Sequence, residues 1–230
     1  CAPEQIPQYW KTHDVITFLA DTGMYDASLY GNLDRAEKER VLQFKSDYFK
    51  QRFVVSRSLL KNIIGHLQGT GNRSPCILFK KNKRILVPGT EDIFISLSYS
   101  GSTIALTLAK RKIGSDIETV HMVDLQKVRS SPLFDHARPR NKKEESLLSL
   151  HLWTVVEAYA KLRDLNPYPL LGRKPPLPGA NFVSYCIDRR LILSLAYDTG
   201  NLDHAMFWID PSHWPGIQKT HDQLNSPFPR

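Results

Sequence analysis

The sequence predicts an α+β fold, and three observations carry that prediction. Apolar residues recur at helical spacing over two stretches, roughly residues 35–69 and 141–165. Each stretch is followed by short apolar runs split by turn residues, the texture of strands. Helix followed by strands therefore occurs twice, with a break near residues 110–120. This order predicts an N-terminal half over 1–112, a C-terminal half over 113–210 and a tail over 211–230.

The elements follow in order. Asp34 with Glu37 three residues on has the form of a capping box, so a helix is expected to start near Arg35. Val41, Phe44, Tyr48, Val55, Leu59 and Ile63 continue the period, and Gly69 is a natural stop. One helix or two would fit. Cys76–Phe79, Ile93–Ser98, Thr103–Leu108 and Ile113–Glu118 read as strands, with Gly101-Ser102 as a tight turn. Asn141 with Glu144 again marks a helix start, and Pro167 and Pro169 set a limit near Leu165. Asn181–Ile187, Arg190–Tyr197 and His204–Ile209 read as a meander. The tail from Pro211 to Arg230, rich in Pro, Asn, His and Ser, is expected to be loosely ordered or draped on the surface.

Composition narrows the class. Apolar residues at 41% and charged residues at 23% are an ordinary globular balance. No apolar run is long enough to span a bilayer, and the first residues lack the basic-then-apolar pattern of a secretory signal. Three cysteines (Cys1, Cys76 and Cys186) without CxxC spacing argue against a disulfide framework and a zinc site, so a reducing, cytoplasmic setting is expected. A net charge of +8 favours polyanionic partners: nucleic acid, a phosphate-rich cofactor or an acidic protein. No helix-turn-helix, zinc or RNA-recognition motif supports nucleic acid. The basic clusters Lys80-Lys81-Asn82-Lys83-Arg84 and Arg138, Arg140, Lys142, Lys143 suit a solvated turn and helix start, or a landing site for phosphates. Trp208 and Trp214 read as packing residues.

Two short stretches carry chemistry. In a strand over Ile113–Glu118, Asp116 and Glu118 share one face at period two. In a helix over Asn141–Leu165, Trp153, Glu157 and Lys161 share one stripe at i, i+4 and i+8. If the two faces meet, three carboxylates converge and repel unless a cation neutralises them. Magnesium suits such an oxygen-only set, and Lys161 could hold phosphate oxygens. The plainer reading is a solvated strand end and a surface i, i+4 ion pair between Glu157 and Lys161.

These residues also form a pattern. Gly114-Ser115-Asp116-Ile117-Glu118, then about forty residues, then Trp153-Thr154-Val155-Val156-Glu157-Ala158-Tyr159-Ala160-Lys161 resembles the signature of 4'-phosphopantetheinyl transferases. The type that activates surfactin synthetase is the nearest in pattern. Ile95-Ser96-Leu97-Ser98-Tyr99-Ser100-Gly101 is similar to a third block of that family, and the basic helical segment Arg52–Leu60 to a fourth. The resemblance implies a pseudo-dimer of two similar α+β halves with the active site at their interface. It implies that Asp116, Glu118 and Glu157 bind magnesium and that Lys161 contacts the phosphates of coenzyme A, the co-substrate. It places Ser98 and Tyr99 near the 3'-phosphate, with Arg52, Arg40, Lys83 and Arg84 as further cofactor contacts. It implies catalytic roles for Glu157, Lys161 and Asp116, an acyl or peptidyl carrier protein as partner, and a monomer.

The chain departs from the pattern in places. Tyr99 stands where a histidine is usual, and Val156 where a lysine is usual. Asn82-Lys83-Arg84 replaces a Gly-Lys-Pro turn, and a proline-containing segment follows Lys161. These departures motivate an alternative expectation: a weakened homologue that binds coenzyme A or a carrier protein without transfer.

Overall fold

A computed structural model describes residues 3–70, 78–79, 85–119, 126–132, 134, 139, 141–172, 177–187, 191–209, 217–218 and 222–224. The chain divides into two compact units. The first comprises Cys1–Ile95, Ser102–Lys110 and Leu202–Lys219; the second comprises Ser96–Gly101, Arg111–Asn201 and Thr220–Arg230. In chain order the regular elements are α1 (Ile6–Thr12), β1 (Val15–Asp21), α2 (Arg35–Gln43), α3 (Asp47–Leu67), β2 (Leu78–Phe79), β3 (Ile85–Leu86), β4 (Phe94–Ser100), β5 (Thr103–Ala109), β6 (Ile113–Thr119), α4 (Gln126–Arg129), α5 (Lys142–Arg163), β7 (Asn181–Ile187), β8 (Leu191–Tyr197), β9 (His204–Ile209), β10 (Ile217–Gln218) and β11 (Asp222–Leu224). The mixture of helices and sheets is α+β, as the sequence predicts.

In the first unit β1 is flanked by β5, antiparallel, and by β9, parallel, and β10 pairs with β9. Ile16, Phe18 and Leu19 of β1, Ile104 and Leu106 of β5, and Leu60, Ile63 and Ile64 of α3 are all almost completely buried. The capping box forms: Glu37 N–H donates to Asp34 Oδ1 at 2.9 Å, and Asp34 N–H donates to Glu37 Oε2 at 3.0 Å. Lys61, buried on α3, reaches the same two carboxylates, at 2.6 Å from Glu37 and 3.2 Å from Asp34. The helical stretch is two helices, with the first ending at Phe44, whose backbone is extended.

In the second unit the sheet order is β11-β7-β8-β6, all antiparallel. Helix α5 packs across β6 and β8. Its core face carries Leu150, Val155, Val156 and Leu162, which cluster with Ile192 and Ala196 of β8. Asn141 caps α5 by accepting from Glu144 N–H at 2.9 Å. The helix ends at Arg163, before the prolines, because Asp164 takes a left-handed conformation with φ 56°.

The expected meander is corrected. β7 and β8 form a hairpin, but β9 leaves it to pair with β1, Phe207 opposite Phe18. β1, a strand the sequence reading did not anticipate, is almost wholly buried between β5 and β9, and pairing β9 there removes more apolar surface from water than leaving β9 at the end of a meander. Strand β4 starts in the first unit and continues into the second at Ser96. Among the described residues no helix is long and apolar enough to cross a membrane. Cys1, Cys76, Trp214 and most of the tail lie outside the described residues.

Candidate active site

The site is built in the second unit, from β6, α5 and the end of β4. Gly114 opens β6 directly beneath α5. A Cβ there would collide with the backbone oxygen of Ala158 and come within 2.6 Å of Leu162 N. The missing side chain lets strand and helix backbones approach closely, so the acidic face of β6 and the Glu157–Lys161 stripe of α5 come together.

Asp116 is buried, only 2% exposed, which excludes the reading of a solvated strand end. Its Oδ1 accepts from Lys161 Nζ at 2.7 Å, and the same ammonium donates to Ser115 O at 3.0 Å. Glu157 Oε2 lies 4.0 Å from Lys161 Nζ. Asp116 Oδ2 is buried with no hydrogen-bond partner among the described residues. Glu118 accepts from Ser100 Oγ at 2.7 Å.

Burial holds the Asp116 carboxyl well above the usual carboxylate range; Lys161 opposes this, and Glu157 and Glu118 add to it. Burial likewise raises Glu118, opposed by the Ser100 hydrogen bond and reinforced by Glu157. Glu157 thus disfavours charge on both Asp116 and Glu118.

Could this set hold a metal? Among the described residues, no three His, Cys, Asp or Glu side chains stand gathered as a ligating group. Lys161 instead supplies the positive charge at Asp116. The donor chemistry nonetheless fits a hard divalent cation: the groups are oxygen-only, and one buried carboxylate oxygen is unbonded.

Ser98 is 2% exposed, and its hydroxyl also has no partner among the described residues. Tyr99, the next residue, is half-buried. The two expected arginines belong to the first unit: Arg40 on α2 lies over the Phe53 ring at 5.8 Å, and Arg52 on α3 lies over Tyr48 and Phe49 at 5.4 and 4.9 Å. Lys83, Arg84, Arg138 and Arg140 lie outside the described residues. Lys142 and Lys143 are exposed on the first turn of α5, as a solvated helix start requires. Val156 is completely buried in the apolar cluster of α5, so its side chain lies in the core and offers no charge to the site.

No protein-family model matches the chain, and no curated protein matches it. What the site can do rests on its own side chains. They are a partly exposed carboxylate (Glu157), a partly exposed ammonium (Lys161) and two more deeply buried acids (Asp116 and Glu118). Sequence reasoning missed the role of Ser100, whose contact with Glu118 joins residues 18 apart on two strands and is encoded by no local spacing.

Proposed function

We propose that this chain is a magnesium-dependent 4'-phosphopantetheinyl transferase acting on an acyl or peptidyl carrier protein in the cytoplasm. One observation carries the reading: Lys161 is paired to buried Asp116 at 2.7 Å, with Glu157 and Glu118 electrostatically coupled to the same carboxylate. Such a cluster costs stability unless a cationic ligand or reaction uses it.

On this reading the carrier serine oxygen attacks the phosphorus of coenzyme A that bears the pantetheine. The P–O bond to adenosine 3',5'-bisphosphate breaks, and the serine proton passes to Glu157. Glu157 suits that role because its side chain is 26% exposed, open to an incoming hydroxyl. Lys161, 32% exposed, can turn toward the pyrophosphate oxygens and stabilise their charge. Asp116, Glu118 and Glu157 would hold magnesium, which when bound offsets the charge of the pyrophosphate. The hydroxyl of Ser98, without a partner among the described residues, and Tyr99 beside it are proposed as contacts for the 3'-phosphate.

Release of adenosine 3',5'-bisphosphate tests the reading, measured chromatographically with coenzyme A, magnesium and an apo carrier protein. Release that disappears in Glu157→Gln supports it. Undiminished release from Glu157→Gln removes Glu157 as the base. A second reading, binding without transfer, draws on the buried Val156, which leaves the site one cation short of the family pattern. It predicts coenzyme A binding with no nucleotide release.

A further inference from the structure

Strand β4 reverses the usual logic of a half-buried strand. Its inward positions are Ser96, Ser98 and Ser100, all at most 6% exposed, while Ile95, Leu97 and Tyr99 between them are half-buried. Hydroxyls are placed inside because they meet the backbone of β6. Ser96 Oγ accepts from Ser115 N–H at 2.9 Å and lies 3.4 Å from Ser115 O. Ser100 Oγ accepts from Thr119 N–H at 2.7 Å. Both rungs join residues 19 apart, so the segments run in the same direction in a fixed register. The serines satisfy amide groups that a neighbouring strand would otherwise bond.

The two rungs differ in one respect. Ser96 returns its own proton to the backbone, toward Ser115 O. Ser100 donates its proton to the Glu118 carboxylate at 2.7 Å, with Thr119 Oγ1 farther off at 3.3 Å. With Thr119 N–H on its acceptor side, the Ser100 hydroxyl has two acceptors in reach of its proton, and Glu118 at 2.7 Å is much the nearer.

We propose that Ser100 is a positioning residue: it aims the Glu118 carboxylate into the acidic cluster, while Ser96 only fixes the register of β4 on β6. The functional weight of this role rests on the reading of Glu118 as part of a cation-binding site, but the positioning itself does not.

Paired variants test it. Ser96→Ala leaves the buried Ser115 amide without its partner and Ser100→Ala the half-buried Thr119 amide, so both lower the melting temperature, Ser96→Ala by at least as much. Only Ser100→Ala moves the carboxyl resonance of Glu118 in carbon-13-labelled protein. Only Ser100→Ala weakens Mn2+ binding, read by electron paramagnetic resonance with the metal alone, by about tenfold or more. Should the alanine variant not fold, Ser100→Cys keeps the volume with a weaker donor and gives the same two changes. A Glu118 resonance unmoved in the Ser100 variants, or moved equally by Ser96→Ala, overturns the proposal. A shifted resonance in a protein that binds no Mn2+ even as wild type upholds the positioning role and instead removes the cation-site reading.

Discussion

Gly114 lies against the backbone of α5 at Ala158, where even a methyl group would strike the main chain. Because the obstacle is backbone rather than a flexible side-chain tip, β6 and α5 would have to separate to admit it. Asp116, two residues along the strand, would then move away from Lys161. Gly114→Ala should lower stability by about 1–3 kcal/mol, the range for overpacking a tight contact. Urea denaturation measures this, and a loss under 0.5 kcal/mol would mean that the close approach is not required.

Asp116 is predicted to trade stability for function. Burial disfavours its charged form, so its carboxyl titrates well above the usual range. A raised value in the folded state means that the group favours folding as pH falls through it, and opposes folding when ionised above it. Asp116→Asn should therefore be as stable as wild type at pH 8, or more stable by up to about 2 kcal/mol. Lys161, released from the pair, is 32% exposed and can turn to water. Nucleotide release should be lost in the same variant. A large destabilisation would show instead that the Asp116–Lys161 pair is a structural tie.

His151 gives the second unit an acid-sensitive point. It is 6% exposed on α5, its Nε2 has no partner among the described residues, and burial lowers its pKa to about 4. As pH falls below about 6.5 the unfolded chain takes up a proton that the folded chain refuses. Stability is therefore fully present above 6.5 and is lost down to about pH 4, by about 3 kcal/mol in all. Asp116 and Glu118 pull the other way, so the informative quantity is a difference. His151→Leu should lose less stability than wild type between pH 7 and pH 4.5. Equal losses in the two proteins would exclude His151 as the cause.

Lys61 anchors the first unit from the interior. Its side chain is 1% exposed and lies on both Glu37 and Asp34. Lys61→Met keeps the length but leaves Glu37, itself 7% exposed, with Arg57 at 3.9 Å as its remaining cation. A loss of about 3–5 kcal/mol is expected, as for a buried pair deprived of one partner. Thermal unfolding measures it, and an unchanged midpoint would contradict the assignment.

What could be read in the sequence was local. Asp34 with Glu37 and Asn141 with Glu144 each announce a helix that starts at the next residue, and both caps form. Period two places Asp116 and Glu118 on one face, and period four aligns Glu157 with Lys161, because both spacings are set by backbone geometry alone. What stayed hidden depends on distant partners. The parallel pairing of β1 with β9 joins Phe18 to Phe207, and no local spacing encodes it. The burial of Asp116 follows from the absent side chain of Gly114 under α5, a packing fact rather than a pattern. The alternating serines of β4 were visible, and only Ser98 was given a role; the bonds of Ser96 and Ser100 to β6 depend on a segment 19 residues away.

Intact mass spectrometry of an apo carrier protein incubated with this protein, coenzyme A and magnesium decides whether the chain is a phosphopantetheinyl transferase. A mass gain of one phosphopantetheinyl group is expected, absent when a chelator is added and absent with Glu157→Gln. No gain on fatty-acid, polyketide and peptidyl carriers alike, in protein that still binds coenzyme A, would contradict that function.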